Sequence, residues 1–454
     1  MTRNSYKLSL ILFSFAFLLS PTYAQKTTIT TPSNALEHYL NNGDKTFNWE
    51  LKESYDIGDV KVYAIVLTSQ NWREHIWTHQ LSIMVPKDFK YNDALLFITG
   101  GSINKEGQPN WSSQGDGLTE GIAAVAKQNN AIVAILKQTP NQPLYGDLTE
   151  DALISYTLHK FKEDGDYSWP LLFPMVKSAK AAMDAIQEFS KQKLNKNIQH
   201  FVVSGASKRG WTTWLTGASD NRVIAIAPMV IDMLNMPVSM NYQIKVWNDY
   251  SIQIEDYVKL GIVQDIGSGS GKDITTMIDP YSYRKKLTMP KMIIMGTNDE
   301  YWPIDNIKNY FDSLSGNNFI HYIPNVGHGM GDKSEAIRSL SAFFGLNIQK
   351  KTIPSCTWKT TENKDGVFVS IKATSDKLID VIIWSADSND KDFRNDKWVS
   401  KSLGIKNVSV VKVNEAFPLT GYRAFYVNLK YKDANGGEYS ESTRVFMTDD
   451  KKVL

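Results

Sequence analysis

Short runs with no polar residue, alternating with stretches of helical period, constrain this chain more than any other feature. Ala94-Leu95-Leu96-Phe97-Ile98, Ala131-Ile132-Val133-Ala134-Ile135-Leu136, Phe201-Val202-Val203 and Met292-Ile293-Ile294-Met295 are all of this kind. A strand that is apolar on consecutive residues must be covered on both faces, and a parallel sheet flanked by helices provides that cover. Between the runs, 121–128 reads as a helix, and 175–189 places Val176, Ala179, Met183, Ile186 and Phe189 at helical spacing. Further strands are expected at 223–230 and 319–323, with a closing helix at 335–344. Before them, 60–67 and 80–85 alternate at period two and predict an antiparallel pair ended by Pro86. The expectation is an α/β fold with a mostly parallel sheet and helices on both faces.

Two stretches break the rhythm. Segments 139–174 and 233–289 are rich in aromatics and fall after strands, where insertions build lids and pocket walls. From Ile353 onward the pattern changes to alternation at period two, as in Val367-Phe368-Val369-Ser370-Ile371, with turn clusters such as Asp433-Ala434-Asn435-Gly436-Gly437 and no helical stretch. This predicts an immunoglobulin-like β-sandwich over 353–454, joined by a linker near 349–354 to a catalytic unit over 25–348. The sandwich is also a surface on which a partner could dock.

The first 24 residues read as an export signal. Arg3 and Lys7 precede an apolar run of about 12 residues, shorter than the ~20 a spanning helix needs, and Pro21-Thr22-Tyr23-Ala24 offers a cleavage site. A periplasmic or secreted protein with no membrane span after cleavage is expected. The 454-residue chain carries a formal charge of +2, and residues 1–24 hold two positive and no acidic side chains, so the mature chain is neutral. That balance speaks against nucleic acid as a partner. The single cysteine, Cys356, forbids an intrachain disulfide and reads as core filler. The seven histidines form no metal-ligand spacing and no phosphate loop occurs, so neither metal nor cofactor is expected.

Chemistry concentrates where Phe201-Val202-Val203-Ser204-Gly205-Ala206-Ser207-Lys208-Arg209-Gly210-Trp211 turns from strand to helix. Such an elbow exposes a serine hydroxyl, which makes Ser207 the candidate nucleophile, although Arg209 stands where glycine is usual. A serine nucleophile needs a base and an orienting acid, which in this fold class follow in the order acid, then histidine. Asp299 follows the run ending at Met295, and His328 sits in the glycine-flanked Asn325-Val326-Gly327-His328-Gly329. Asp232, after Pro228-Met229-Val230-Ile231, is the alternative acid. The oxyanion donors would be the N–H of Lys208 and an N–H of the Gly100-Gly101-Ser102 turn. Taken singly each has a plainer reading, His328 as a loop histidine, Asp299 as a helix cap and Gly100-Gly101 as a tight turn. Their order and strand-end positions favour the catalytic reading.

The ordered pieces Ala35-Leu36-x-x-Tyr39, Thr68-Ser69-Gln70-x-Trp72, Leu96-Phe97-Ile98-Thr99-Gly100-Gly101, Pro140-Asn141-Gln142-Pro143-Leu144, Glu150-Asp151-Ala152-Leu153, Gly205-Ala206-Ser207-Lys208-Arg209-Gly210-Trp211, Asp279-Pro280-Tyr281 and Pro324-Asn325-x-x-His328 resemble the PhoPQ-activated pathogenicity-related protein family (autocrine proliferation repressor-like). That family is similar in fold to α/β-hydrolases. The resemblance implies that an elbow carrying arginine is its ordinary form. It also implies a Gly-Asp-Glu-aromatic turn before the histidine, where this chain reads Asn298-Asp299-Glu300-Tyr301.

The expected activity is hydrolysis of an acyl bond, with a peptide first. Glu150 and Asp151 could hold a substrate amino terminus, as paired carboxylates do in dipeptidyl peptidases. The plainer reading is that they open a helix over 150–161. A carbohydrate esterase is the second reading. Lys208, directly after Ser207, would then suit a uronate ester, as arginine does in the similar-looking elbow of glucuronoyl esterases, with Arg209 a further candidate for substrate binding, and Trp111, Trp169, Trp211, Trp214 and Trp302 would stack on sugar, a role less common for tryptophan than core packing. A third is a secreted binding or signalling protein on a hydrolase fold.

Overall fold

The computed structural model describes Met1 and residues 29–454, so the expected export signal lies outside the described residues apart from Met1. Helix α1 (Ala35–Leu40) precedes three antiparallel strands, β1 (Asn48–Ile57), β2 (Val60–Trp72) and β3 (His75–Pro86). β2 and β3 form the pair expected from their alternation, but run longer, from Val60 opposite Pro86 to Trp72 opposite His75. β1 is mostly exposed, although Trp49, Leu51, Tyr55 and Ile57 alternate at period two with Glu53 breaking the pattern.

The central elements follow as β4 (Asp93–Ile98), α2 (Gly117–Asn129), β5 (Val133–Leu136), α3 (Glu150–Asp164), α4 (Leu172–Leu194), β6 (His200–Ala206), α5 (Lys208–Ser219) and β7 (Val223–Met229). After them come α6 (Met236–Trp247), α7 (Glu255–Lys259), α8 (Gly269–Ile278), β8 (Lys291–Gly296), β9 (Asn318–Ile323) and α9 (Ser334–Ile348). The strands line up as β1-β2-β3-β5-β4-β6-β7-β8-β9, and every pair from β5 to β9 is parallel. All residues of β4, β5 and β8 are buried, as their apolar runs 94–98, 133–136 and 292–295 require.

Neighbouring residues of one strand serve opposite faces. Ala94, Leu96 and Ile98 of β4 join the cluster holding Val176, Met183 and Phe189 of α4 and Trp214 of α5. Leu95 and Phe97 join the cluster holding Ile122 and Val125 of α2 and Leu340 and Phe343 of α9. Each helix buries one apolar stripe, and the sheet is a two-sided core. Segments 139–174 and 233–289 lie between β5 and β6 and between β7 and β8, after the carboxyl ends of parallel strands where ligands bind in such sheets. Among the described residues no helix is long and apolar enough to cross a membrane.

The C-terminal strands form two groups. β10 (Thr357–Asn363), β11 (Gly366–Lys372) and β14 (Val410–Ala416) make a three-stranded sheet. β12 (Leu378–Ser388), β13 (Val399–Ser402), β15 (Tyr422–Lys432), β16 (Glu438–Ser442) and β17 (Phe446–Thr448) continue the main sheet, because β16 meets β9 at Ser442 opposite Ile320. Val369 and Ile371 of the smaller sheet share a buried cluster with Val381, Phe425 and Val427 of the larger one. Sequence periodicity suggests a module hung on a linker. In the structure its strands cover what would be an open edge at β9, and an open edge is a liability. Cys356 is buried among them.

Candidate active site

The elbow is strained as its chemistry demands. Ser207 stands between β6 and α5 with φ 58° and ψ −125°, in the positive-φ region that L-residues rarely adopt. Close packing fixes the glycines around it. A Cβ at Gly210 would come 2.8 Å from the Met229 carbonyl oxygen of β7, and one at Gly205 would come 2.8 Å from the Arg209 carbonyl oxygen. Arg209 fills the place usually held by glycine because its side chain turns across Gly100, where an added Cβ would lie 2.5 Å from Arg209 Nη2. Arginine here therefore relies on glycine at position 100.

Ser207, His328 and Asp299 come together. His328 Nε2 lies 2.8 Å from Ser207 Oγ, and Nδ1 lies 3.0 Å from both carboxylate oxygens of Asp299. With the proton on Nδ1, the imidazole donates to Asp299 and accepts from the serine hydroxyl. In this arrangement a serine can attack an acyl carbon while its proton passes to Nε2. Asp299 is buried after β8 and also accepts the Tyr301 N–H at 2.9 Å. Asp232, the alternative acid, is buried after β7 and makes no hydrogen bond to His328. Burial first, and the charges of Asp299 and Asp305 with it, push the Asp232 carboxyl up to about 8.

The register brings the candidate oxyanion donors together. Ile98 of β4 pairs with Gly205 of β6, so Thr99-Gly100-Gly101 and Ala206-Ser207-Lys208 leave the sheet side by side. Among the described residues the N–H groups of Gly100, Gly101 and Lys208 have no backbone partner, which leaves them able to meet a developing oxyanion.

The four charged residues expected to meet substrate meet each other instead. Arg209 donates to both carboxylate oxygens of Glu150 at 2.6 and 2.8 Å, and to the Thr139 carbonyl at 2.5 Å. Burial works to raise the Glu150 carboxyl, but its bonds and charge contact with Arg209 outweigh this and hold it below the ordinary range. Lys208 Nζ lies 2.7 Å from Asp151, which also accepts from the Tyr257 hydroxyl at 2.9 Å. Glu150 and Asp151 do open a helix, α3, and that helix is fastened to the start of α5 by these pairs.

Beside Ser207 opens a narrow cavity. Its walls are apolar, with Trp211, Ile231, Met233, Met240, Ile262 and Trp302 prominent, and its polar lining includes the Asp151–Lys208 pair. Of the tryptophans considered for sugar stacking, only Trp211 and Trp302 line it. Trp111 donates to Glu53 under Lys52, Trp169 lies under Arg73, and Trp214 is fully buried.

Two residues next to Asp299 went unassigned in the sequence reading. Tyr301 stacks on the His328 ring with centroids 4.0 Å apart, and burial followed by the charges of Asp151 and Asp299 pushes its phenol up. Glu300 accepts the His328 backbone N–H at 2.8 Å. The sequence signals that mark them are their closeness to the acid and their place in the Asn298-Asp299-Glu300-Tyr301 turn.

The family model described as "PhoPQ-activated pathogenicity-related protein" matches residues 36–394. The chain is 29% identical over 450 residues to autocrine proliferation repressor protein A of Dictyostelium discoideum, covering 92% of this chain and 90% of that protein. Among solved structures it is similar to acetyl xylan esterase 1 from Thermoanaerobacterium sp. JW/SL YS485, at 16% identity and a TM-score of 0.43, over 71% of this chain and 95% of that one. It is also similar to a glucuronoyl esterase from Solibacter usitatus, at 11% identity and a TM-score of 0.39, over 68% of this chain and 90% of that one.

Proposed function

The chain belongs to the PhoPQ-activated pathogenicity-related protein family, and from that premise we propose that it is an exported serine hydrolase cleaving an acyl bond of a substrate that presents an apolar group. The observation that carries this reading is the pair of hydrogen-bonded steps from Ser207 Oγ to His328 and from His328 to Asp299. Ser207 is the nucleophile, His328 the base and then the acid, and Asp299 the group that orients the ring and stabilises its cation. Lys208 and the Gly100-Gly101 turn supply oxyanion donors, and losing one such donor typically costs ~3 kcal/mol of transition-state stabilisation. Export rests on the signal pattern of residues 1–24. The C-terminal strands are read as an immunoglobulin-like sandwich whose larger sheet is docked on β9.

The substrate reading rests on the cavity. Its apolar wall favours an aliphatic or aromatic group on the substrate. An aminopeptidase-like grip on an amino terminus has lost its support, because Glu150 and Asp151 are already paired with Arg209 and Lys208. A uronate ester has lost its cations for the same reason. A peptide or amide with an apolar residue at the scissile bond, or an ester of an apolar acid, fits the lining.

Fluorophosphonate labelling of the purified protein tests the chemistry. The wild type should be labelled and Ser207→Ala should not; an unlabelled wild type, or equal labelling of both, overturns the hydrolase in favour of a binding protein. Matched p-nitrophenyl esters and aminoacyl p-nitroanilides with apolar, sugar and uronate acyl groups then test the substrate. Preference for uronate would overturn the apolar reading.

A further inference from the structure

The loop over 389–398, between β12 and β13, belongs to the C-terminal strands, yet its contacts converge on the two turns that carry Asp299 and His328. The Asn298 side-chain N–H donates to the carbonyls of Phe393, Arg394 and Asp396 at 3.3, 3.1 and 2.8 Å. From the other turn, Asn325 donates to the Trp398 carbonyl at 3.0 Å and accepts the Trp398 N–H at 2.8 Å. The two asparagines are linked to each other. Thr297 Oγ donates to Asn298 Oδ1 at 2.7 Å and accepts the Asn325 N–H at 2.8 Å. The acid turn, the histidine turn and the loop thus form one closed hydrogen-bonded ring.

The loop is itself rigid enough to serve as an anchor. Phe393 and Trp398 are buried, and Trp398 packs on Tyr426 of β15 with ring centroids 5.5 Å apart. Arg394 is fixed by Asp392 at 2.7 Å and lies 4.1 Å over the ring of Trp247, at the end of lid helix α6. Asn298 immediately precedes the acid, and Asn325 stands three residues before the histidine. A carboxylate and an imidazole on separate turns hold their 3.0 Å contact only while those turns keep their spacing.

We infer that the 389–398 loop is a brace that sets Asp299 and His328 against Ser207, with Asn298 and Asn325 as its positioning residues. The C-terminal strands are in this view part of the catalytic apparatus rather than a separate binding module. The inference rests on the hydrolase reading above. Neither asparagine lines the apolar cavity, so loosening the brace should slow turnover while leaving the cavity and substrate affinity in place. Misplacing catalytic groups by about 1 Å typically costs on the order of 100-fold.

Asn298→Gly and Asn325→Gly remove the side-chain bonds, and Asn325, at φ 58°, already has a backbone conformation that suits glycine. Each variant and the pair should be assayed in the full chain for kcat and KM on a p-nitrophenyl ester, for the rate of fluorophosphonate labelling at Ser207, and for thermal unfolding. The expected result for the pair is a fall in kcat and labelling rate of about 10- to 100-fold with KM within about twofold. Variants that lose thermal stability but keep the wild-type kcat per folded molecule would reduce the ring to a structural contact and overturn the inference. So would variants whose loss lies entirely in KM. A wild type that neither labels nor turns over would overturn the hydrolase reading, and the brace with it.

Discussion

At the scale of single residues, two buried aspartates lie near the candidate base, and only one can orient it. Asp299 accepts from His328 Nδ1, whereas Asp232 lies deeper with its carboxyl pushed up to about 8 by burial and does not reach the ring. Replacing Asp299 with Asn should therefore lower kcat by about 10,000-fold, as loss of the orienting acid does in serine hydrolases. Asp232→Asn keeps shape and neutrality and should stay near wild type. Steady-state kinetics on one ester substrate decide it, and a reversed order would move the acid to β7. Sequence ranks Asp299 first because it ends a Gly-x-x-Asp turn after a buried strand, the commoner source of such an acid, and singles out Ser207 and His328 because glycines flank each. The partners of Lys208 and Arg209 were not legible. Glu150 lies 59 positions from Arg209, and nothing local in a chain records which cation a distant carboxylate will meet.

At the scale of elements, those same pairs fasten α3 to α5, the helix that follows Ser207. Arg209 makes a planar, two-pronged contact with Glu150 and a third bond to Thr139, which a lysine cannot reproduce. Arg209→Lys keeps the charge yet should lower both the unfolding temperature and kcat/KM, whereas charge alone, were it sufficient, would leave both unchanged. The cavity wall between β7 and β8 makes a separate claim about substrate. Ile262→Trp would fill part of the space and should cut kcat/KM for octanoate esters by about tenfold relative to acetate esters, a size set by the few methylenes excluded. Equal losses on both esters would show that the acyl chain lies elsewhere. The helices and buried strands of this framework were legible because each repeats a period over many residues. The join of β16 to β9 was not, since the described pairing is Ser442 opposite Ile320 and one pair leaves no pattern in either strand.

At the scale of the whole molecule, several acids are buried without enough partners, and this ties stability to pH. Burial pushes Asp232 up to about 8 from 3.8 and Glu441, in β16, up to about 8 from 4.5. Among the described residues Asp232 Oδ1 and Glu441 Oε2 meet no hydrogen-bond partner, so the charged form of each is poorly accommodated. Between the unfolded and folded values the native chain holds these protons and the unfolded chain has released them. Stability then falls as pH rises, from about 4 until the loss is complete above about 8. This is the reverse of a salt-bridged carboxylate, whose contribution is lost on acidification. Urea unfolding should give a lower free energy at pH 8.5 than at pH 5.5. The double variant Asp232→Asn, Glu441→Gln should flatten that slope and gain on the wild type chiefly at the alkaline end. Because Asp232 follows β7 of the central sheet and Glu441 lies in the strand that joins the C-terminal group to β9, one cooperative transition affected by both is also what a single continuous sheet requires. Two transitions, each responding to only one substitution, would instead mean that the C-terminal strands unfold as a unit of their own.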